Sequence, residues 1–341
     1  MKKALLQTET RVRRTYRGGK LLEEFLGKEH PCDSFRPEDW ISSFVEAKNN
    51  DPMEGEGISH VWIDGKELPI TQVITEQDFG PGRKDCGVLV KYLNSAERLG
   101  IQVHPTPAFS KRYFGTEYGK TECWHILRTD PTLEHTVYIG FREGITRERW
   151  KELFEAQDID GMLSCLHRFE VKAGDTVLVR AGTPHAIGAG CFLLEIQEPT
   201  DYTMRVEKIT VAGEILTPQQ IHYGVGEEAM LDCFLYEGLS KAEAEERFFL
   251  RPRVAKAEGG EVHTLVSYED TPCFALQRIT GKKVSVRLQS FVTLVALTDG
   301  TVAFGEEMQQ VKKGEKYFVP YGCGEISVWD AEVVLCYPPK K

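Results

Sequence analysis

The chain has 341 residues, a net charge of −10 and a hydrophobic fraction of 41%. This length accommodates roughly two domains with apolar cores, and the composition is that of a globular protein. The acidic balance disfavours nucleic acid as a partner, because phosphate backbones bind basic surfaces, and no apolar run approaches the ~20 residues that span a bilayer.

Residues 1–60 are predicted to form an N-terminal arm with short helices that packs on the rest of the chain. The first residues are charged and lack the apolar stretch of a signal peptide, and the cysteines show no CxxC pair. Both features predict a cytoplasmic protein. The arm's arginines could bind an anion, but we interpret them as a solvated segment that closes over a sheet. They are Arg11, Arg13, Arg14 and Arg17.

Residues 61–211 are predicted to form a first β unit. Asp64-Gly65 lies between two alternating apolar runs and is a strong hairpin signal. Further strand-like runs follow at 87–93, which contains Lys91, at 124–127 and at 136–140. Short strands separated by glycine turns are typical of small antiparallel sandwiches and barrels.

Polar residues two apart in this region indicate a metal site. In a strand, Gln102 and His104 point to one face, and Lys120 and Glu122 repeat this geometry. An amide oxygen, an imidazole and a carboxylate form a mixed ligand set that zinc accepts. A fourth ligand must come from elsewhere in the chain, and His185 after the Gly-Thr-Pro turn is the best candidate.

The rest of the chain alternates between helical and strand-like passages. Residues 145–168 predict a helical insert with a break near 158–161, and residues 169–211 return to strands. Residues 212–258 predict a helix-prone connector, and residues 259–341 a second β unit without a metal. The passages starting at Val171 and Val311 share the pattern V-K-x-G-[DE], which indicates a faint internal repeat. The fold class is therefore predicted to be mainly β.

The motifs together resemble the type I mannose-6-phosphate isomerases of the cupin superfamily. The resemblance rests on Gln102-Val-His-Pro105, Gly119-Lys-Thr-Glu-Cys-Trp124, Gly182-Thr-Pro-His-Ala-Ile-Gly188, Leu194-Glu-Ile-Gln197 and Asp201…Arg205. It covers roughly residues 10–335 and implies two cupin-type barrels, or jelly rolls, of which only the first binds zinc. It also implies a small-molecule hexose phosphate substrate and a monomer or homodimer.

Carried over by position, the resemblance implies one zinc ion bound by Gln102, His104, Glu122 and His185. The implied reaction is the interconversion of mannose 6-phosphate and fructose 6-phosphate through an enediol. Its further active-site residues are Lys91, Lys120, Glu195, Asp201 and Arg205.

The chemistry of these side chains suggests their roles. Lys120 beside a dication is a reasonable proton shuttle, because a neighbouring positive charge lowers the pKa of an ammonium group. Arg205 stays protonated and suits electrostatic stabilisation. For Glu195 and Asp201, ligand orientation, ring opening and proton transfer all remain open.

Two other readings fit the same residues. One is a non-catalytic, zinc-containing sugar-binding or regulatory cupin protein. The other is a cupin oxygenase, which the glutamine ligand disfavours because such iron sites use more histidine. Metal identity and exchange of the substrate's C2 proton distinguish the three functions.

Overall fold

The computed structural model describes residues 3–340; Met1, Lys2 and Lys341, the ends of the predicted arm and second β unit, lie outside the described residues. This part contains 25 strands and nine helices. The strands are β1 Leu5–Leu6, β2 Arg11–Val12, β3 Glu38–Ile41, β4 His60–Ile63, β5 Lys66–Pro69, β6 Leu89–Ser95, β7 Gln102–Val103, β8 Glu122–Thr129, β9 Thr136–Phe141, β10 Leu166–Glu170, β11 Thr176–Val179, β12 His185–Ile187, β13 Cys191–Gln197, β14 Met204–Arg205, β15 Phe249–Leu250, β16 Arg253–Ala257, β17 Gly260–Val266, β18 Ala275–Gly281, β19 Val284–Arg287, β20 Val292–Ala296, β21 Gly300–Phe304, β22 Glu307–Val311, β23 Lys316–Val319, β24 Glu325–Trp329 and β25 Ala331–Tyr337.

The helices are short and lie mostly outside the sheets. Over residues 3–340, none is long and apolar enough to cross a bilayer. They are α1 Lys20–Phe25, α2 Ile70–Val73, α3 Glu76–Phe79, α4 Pro107–Phe114, α5 Arg147–Ala156, α6 Ile159–Ser164, α7 Pro218–His222, α8 Glu227–Asp232 and α9 Lys241–Phe248.

Four antiparallel sheets form the body of the protein. In strand order, sheet I is β10-β9-β12-β7-β14, sheet II is β15-β11-β8-β13-β6-β3-β2, sheet III is β1-β23-β20-β25-β18-β17-β16 and sheet IV is β19-β24-β21-β22. The mainly β prediction is confirmed. The sheets keep edge strands, so each predicted barrel is a pair of facing sheets and not a closed cylinder.

The hydrophobic cores show that the sheets stack in the order I, II, III, IV. Strand β13 demonstrates the arrangement, because Leu193 packs in the core between sheets I and II, whereas Leu194 packs in the core shared with sheet III. Successive side chains of a strand point to opposite faces, so a central strand of a layered protein must be apolar on both. A further apolar core covers the outer face of sheet I with helices α5 to α8.

The local predictions agree with the structure to different degrees. The hairpin is confirmed as β4 and β5, with Asp64 and Gly65 both at positive φ. The repeat is visible as two equivalent turns, because Gly174 and Gly314 both have positive φ and precede β11 and β23.

The helical insert is confirmed in its main part, as helices α5 and α6, but its predicted end is wrong. The chain leaves the helical conformation after Ser164, and β10 follows as a strand of sheet I. The predicted connector does contain a helix at Lys241–Phe248, capped by Ser240. Its last residues, however, form β16 of sheet III.

The N-terminal arm contributes strands to two different sheets. Strand β1 pairs with β23 of sheet III, and strand β2 pairs with β3 of sheet II. Asp39 of β3 forms a fully buried ion pair with Lys316 of β23 and also accepts a hydrogen bond from the Thr10 amide. The arm is thereby fastened to both β units.

The Asp39–Lys316 pair leads to a stability prediction. Replacing Lys316 with Met should lower the free energy of unfolding by about 3–5 kcal/mol, because it leaves a buried carboxylate without a counter-charge. Chemical denaturation at neutral pH measures this loss. The exposed Lys312 provides a matched control, and its replacement by Met should change stability by less than about 0.5 kcal/mol. Equal stabilities of the two variants would contradict the assigned role of the pair.

Candidate metal centre and active site

Two neighbouring strands of sheet I and the start of a strand in sheet II supply the predicted ligands. His185 of β12 is the cross-strand partner of Gln102 of β7, so their side chains are adjacent. His104 follows directly after β7, and Glu122 is the first residue of β8. Val103 points the other way, into the core under the helices, as its position in the strand predicts.

The four side chains converge between sheets I and II. One ligand atom from each of His104, Glu122 and His185 lies within 4.8 Å of the others, and all three residues are buried. Glu122 Oε2 is 3.0 Å from His104 Nε2, and Glu122 Oε1 is 3.4 Å from His185 Nε2. The Gln102 amide nitrogen lies 3.1 Å from His185 Nε2. The distances are short enough for all four residues to share one ion.

The hydrogen-bond partners of the two histidines decide which ring nitrogen faces the cluster. Nδ1 of His104 lies 3.1 Å from the Tyr202 carbonyl oxygen, and Nδ1 of His185 lies 2.9 Å from that of Thr183. A carbonyl accepts, so each Nδ1 carries the proton and each Nε2 presents a lone pair to the cluster. Burial lowers the pKa of His185 and, with Lys120, lowers that of His104 to about 3. Both rings are therefore neutral.

This donor set fits a divalent cation. Three acceptor atoms from His104, Glu122 and His185 face one another in a buried space, an arrangement that a positive charge stabilises. Exchanging the amide oxygen and nitrogen of Gln102, which have nearly the same shape, turns its oxygen toward His185 and the cluster. Two imidazoles, a carboxylate and an amide oxygen suit zinc. Trp124 donates its indole N–H to Glu122 Oε1 at 3.0 Å and so orients the carboxylate.

A close approach between the backbone at Gly119 and that at Pro105 places Lys120 at the cluster. A Cβ on Gly119 would lie 2.9 Å from the Pro105 oxygen, so only glycine fits beside Lys120. Glu198 accepts hydrogen bonds from the amides of Gly119 and Thr121, which fixes the turn from both sides. Lys120 Nζ then lies 2.7 Å from His104 Nε2 and 2.6 Å from Glu122 Oε2.

Glu195 and Lys91 form a second buried charged pair beside Lys120. They are cross-strand partners on β13 and β6, and their charged atoms are 3.2 Å apart. Glu195 Oε1 lies 4.0 Å from Lys120 Nζ. Burial, together with the Glu122 charge, raises the pKa of Glu195 to about 8. A buried carboxyl with this pKa can both accept and donate a proton near neutrality.

Burial and neighbouring charge have opposite effects on the pKa of Glu122, a candidate ligand. Burial disfavours its ionisation, but the Lys120 ammonium outweighs burial and holds its pKa well below the usual range. Glu122 is therefore a carboxylate, the form that binds a metal.

The remaining predicted residues lie at the edge of the same pocket. Arg205 of β14 is the cross-strand partner of Gln102 and donates to the carbonyl oxygens of Thr203 and Gln220. Asp201 faces the N-terminal arm, where it pairs with Arg14. All five predicted active-site residues line this pocket together with Gln102 and Glu122. We call it the central pocket.

The sequence reasoning missed the arm's contribution to this pocket. The interpretation of the arm as solvated is wrong for Arg14, whose side chain is only 8% exposed. Arg14 and Tyr16 from the arm line the central pocket together with Glu38 of β3. Glu38 and Trp40 lie two residues apart, as Gln102 and His104 do. This spacing was the sequence signal that could have identified Glu38 as a pocket residue.

The positively charged side chains of the central pocket differ in whether they have a carboxylate partner. Arg14, Lys91, Arg98 and Lys120 each pair with a carboxylate of the pocket. Within residues 3–340, no ion pair is recorded for two further lining cations, Lys48 and Arg205. A doubly charged anion would therefore find its strongest attraction at these two residues.

The comparison of sequences and the comparison of structures with known proteins agree with each other. No protein-family model matches the chain. It is 35% identical over 294 residues to the probable mannose-6-phosphate isomerase GmuF of Bacillus subtilis, covering 85% of this chain and 84% of that protein. It is 27% identical to a mannose-6-phosphate isomerase of Streptococcus mutans, with 94% of each chain covered. The crystal structure of a mannose 6-phosphate isomerase from Bacillus subtilis superposes with a TM-score of 0.78 at 19% identity, covering 98% of this chain and all of that one, and so shares the fold.

Proposed function

The chain belongs to the mannose-6-phosphate isomerase family, and on that premise we propose that it is a zinc-dependent enzyme that interconverts mannose 6-phosphate and fructose 6-phosphate. The observation that carries the proposal is the convergence of His104, Glu122 and His185 beside Lys120. A metal-ligand set and proton-transfer groups then face the same pocket, which is what isomerisation of a sugar requires.

The reaction sets the demands on the site. Converting the aldose to the ketose moves a proton from C2 to C1 and another from the C2 hydroxyl to the C1 oxygen, through an enediol. A zinc ion bound by the four ligands would supply positive charge for the oxygen on which negative charge develops. Gln102, His104, Glu122 and His185 are the residues that would hold it.

Lys120 and Glu195 are placed to move the carbon-bound proton. Both are buried in the same pocket, with charged atoms 4.0 Å apart, so a substrate carbon beside one lies close to the other. Glu195 Oε1 makes no hydrogen bond among the described residues, and its contacts there are the ion pairs with Lys91 and Lys120. Lys91 lies 3.2 Å from Glu195 and fixes its orientation.

The phosphate is expected at the edge of the pocket. Lys48 and Arg205 line that edge without a recorded carboxylate partner among residues 3–340. The Arg205 guanidinium offers several donors to phosphate oxygens. Its position next to Gln102 in the sheet would bring a phosphate bound there a short distance from the proposed metal ligands.

A coupled assay tests the proposal directly. Purified protein with zinc should convert mannose 6-phosphate to fructose 6-phosphate, and a chelator should abolish the conversion until zinc is returned. The C2 proton of the substrate should exchange or transfer during turnover. Zinc binding without any turnover would support the sugar-binding or regulatory alternative. The buried Lys120, Lys91 and Glu195 disfavour that alternative, since a binding protein has no need of such costly groups.

A further inference from the structure

Arg14 of the N-terminal arm joins two carboxylates at the wall of the central pocket. Its two terminal nitrogens lie 3.1 and 3.0 Å from the two oxygens of Asp201. Its Nε lies 3.0 Å from Glu38 Oε2, and its guanidinium lies 5.1 Å from the ring centre of Trp40. The planar guanidinium can hold two carboxylates at once, which an ammonium group cannot do with the same geometry.

Glu38 connects this arginine to the proton-transfer groups. Its Oε2 lies 3.6 Å from Lys91 Nζ, and Lys91 lies 3.2 Å from Glu195. Glu38 also accepts hydrogen bonds from Tyr16 and from the Trp40 indole. Burial opposes ionisation of Glu38, but Arg14 and Lys91 lower its pKa to about 2, so it stays charged. Acidic and basic side chains therefore alternate without interruption from the arm to Glu195.

Asp201 is already occupied as an acceptor. Both of its oxygens receive Arg14, and one also accepts the Lys48 amide at 2.7 Å. The carboxylate consequently joins two segments of the arm to the connection between β13 and β14. Arg205 follows four residues later and faces the same pocket.

We propose that Arg14 is a positioning residue of the isomerase reaction. By holding Glu38 in position, Arg14 also positions the Lys91–Glu195 pair. By holding Asp201, it keeps the arm packed against the side of the central pocket that contains Arg205. This inference rests on the proposed function. Because both carboxylates occupy the guanidinium, Arg14 acts through these neighbours and not on the substrate.

Substitution of Arg14 by Lys tests the inference without leaving the carboxylates uncompensated. The R14K enzyme should keep its zinc and its melting temperature but lose about tenfold in kcat, because small displacements of reacting groups are costly. KM should change by less than about threefold, since ground-state binding is unaffected. R14M should lose about 100-fold in kcat. All rates are divided by the concentration of folded, zinc-loaded chains, so that partial unfolding is not counted as loss of turnover.

Arg13 provides the matched control. It is the neighbouring arginine, it pairs with Glu56, and it does not line the central pocket. R13M should keep kcat and KM within about twofold of the wild type. Three results would overturn the inference: an unchanged kcat in R14K, a tenfold rise in KM with normal kcat, which would mean that Arg14 binds substrate, or an equal loss in R13M. Absence of turnover in the wild type would overturn the proposed function as well, which separates the two failures.

Discussion

Replacing Lys120 with Ala is expected to lower kcat for mannose 6-phosphate by between about 10² and 10⁴, the usual contribution of a positioned proton-transfer group. The lysine lies 2.6 Å from Glu122 Oε2 and 4.0 Å from Glu195, at the junction of the metal ligands and the second charged pair. Zinc content should not fall, because Lys120 is not a ligand and its charge repels a cation. Stopped or coupled assays measure kcat, and metal analysis of the same sample measures its zinc content.

The exposed Lys111 is the control for this variant. It pairs with Glu117 at the surface, and K111A should match the wild type in kcat, KM and zinc content. If K120A keeps normal turnover, Lys120 has no part in proton transfer and Glu195 must act alone. If K120A loses zinc together with activity, the role of Lys120 is structural support of the ligands.

Replacing His185 with Ala is expected to abolish activity by removing the metal. Loss of an outer-shell partner typically weakens metal binding by 10–100-fold, so loss of a ligand should weaken zinc binding by more than about 100-fold. His185 is fully buried and oriented by the Thr183 carbonyl, and no exposed side chain can replace it at this position. Zinc stoichiometry after dialysis gives the direct measurement.

Thermal unfolding provides an independent measurement for the same variant. Zinc that binds only the folded protein raises its melting temperature. Addition of zinc to metal-free protein should therefore stabilise the wild type and H30A, in which an exposed histidine is removed, but not H185A. An H185A protein that binds one zinc per chain and is stabilised by it would show that the metal lies elsewhere.

The candidate ligand residues could be picked out from the sequence because their pattern is local. Gln102 and His104 lie two apart, as do Lys120 and Glu122, and a strand places such residues on one face without help from the rest of the fold. Cys123 illustrates the same rule, since it lies between Glu122 and Trp124 and packs in the opposite core. The boundaries of helix and strand near residues 164–170 were less predictable, because apolar spacing there suits both conformations.

The roles of the arm and of Asp201 could not be predicted in this way. Arg14 and Asp201 are 187 residues apart, and nothing near either residue indicates the other. Exposed arginines are the general case, so the arm's composition favoured a solvated segment. Arg14 is buried because β2 and β3 extend sheet II beside β6, which brings the arm to the wall of the central pocket.

The sequence by itself determined that the protein is mainly β, that apolar alternation builds its sheets, and which side chains face one cavity along each strand. Strand periodicity is a property of neighbouring residues and needs no knowledge of distant ones. Only the tertiary structure decided which charges compensate one another, from Arg14 to Glu38 and on to Lys91 and Glu195. These partners come from separate strands and from the arm, and the stacking of sheets I to III, driven by burial of apolar surface, brings them together.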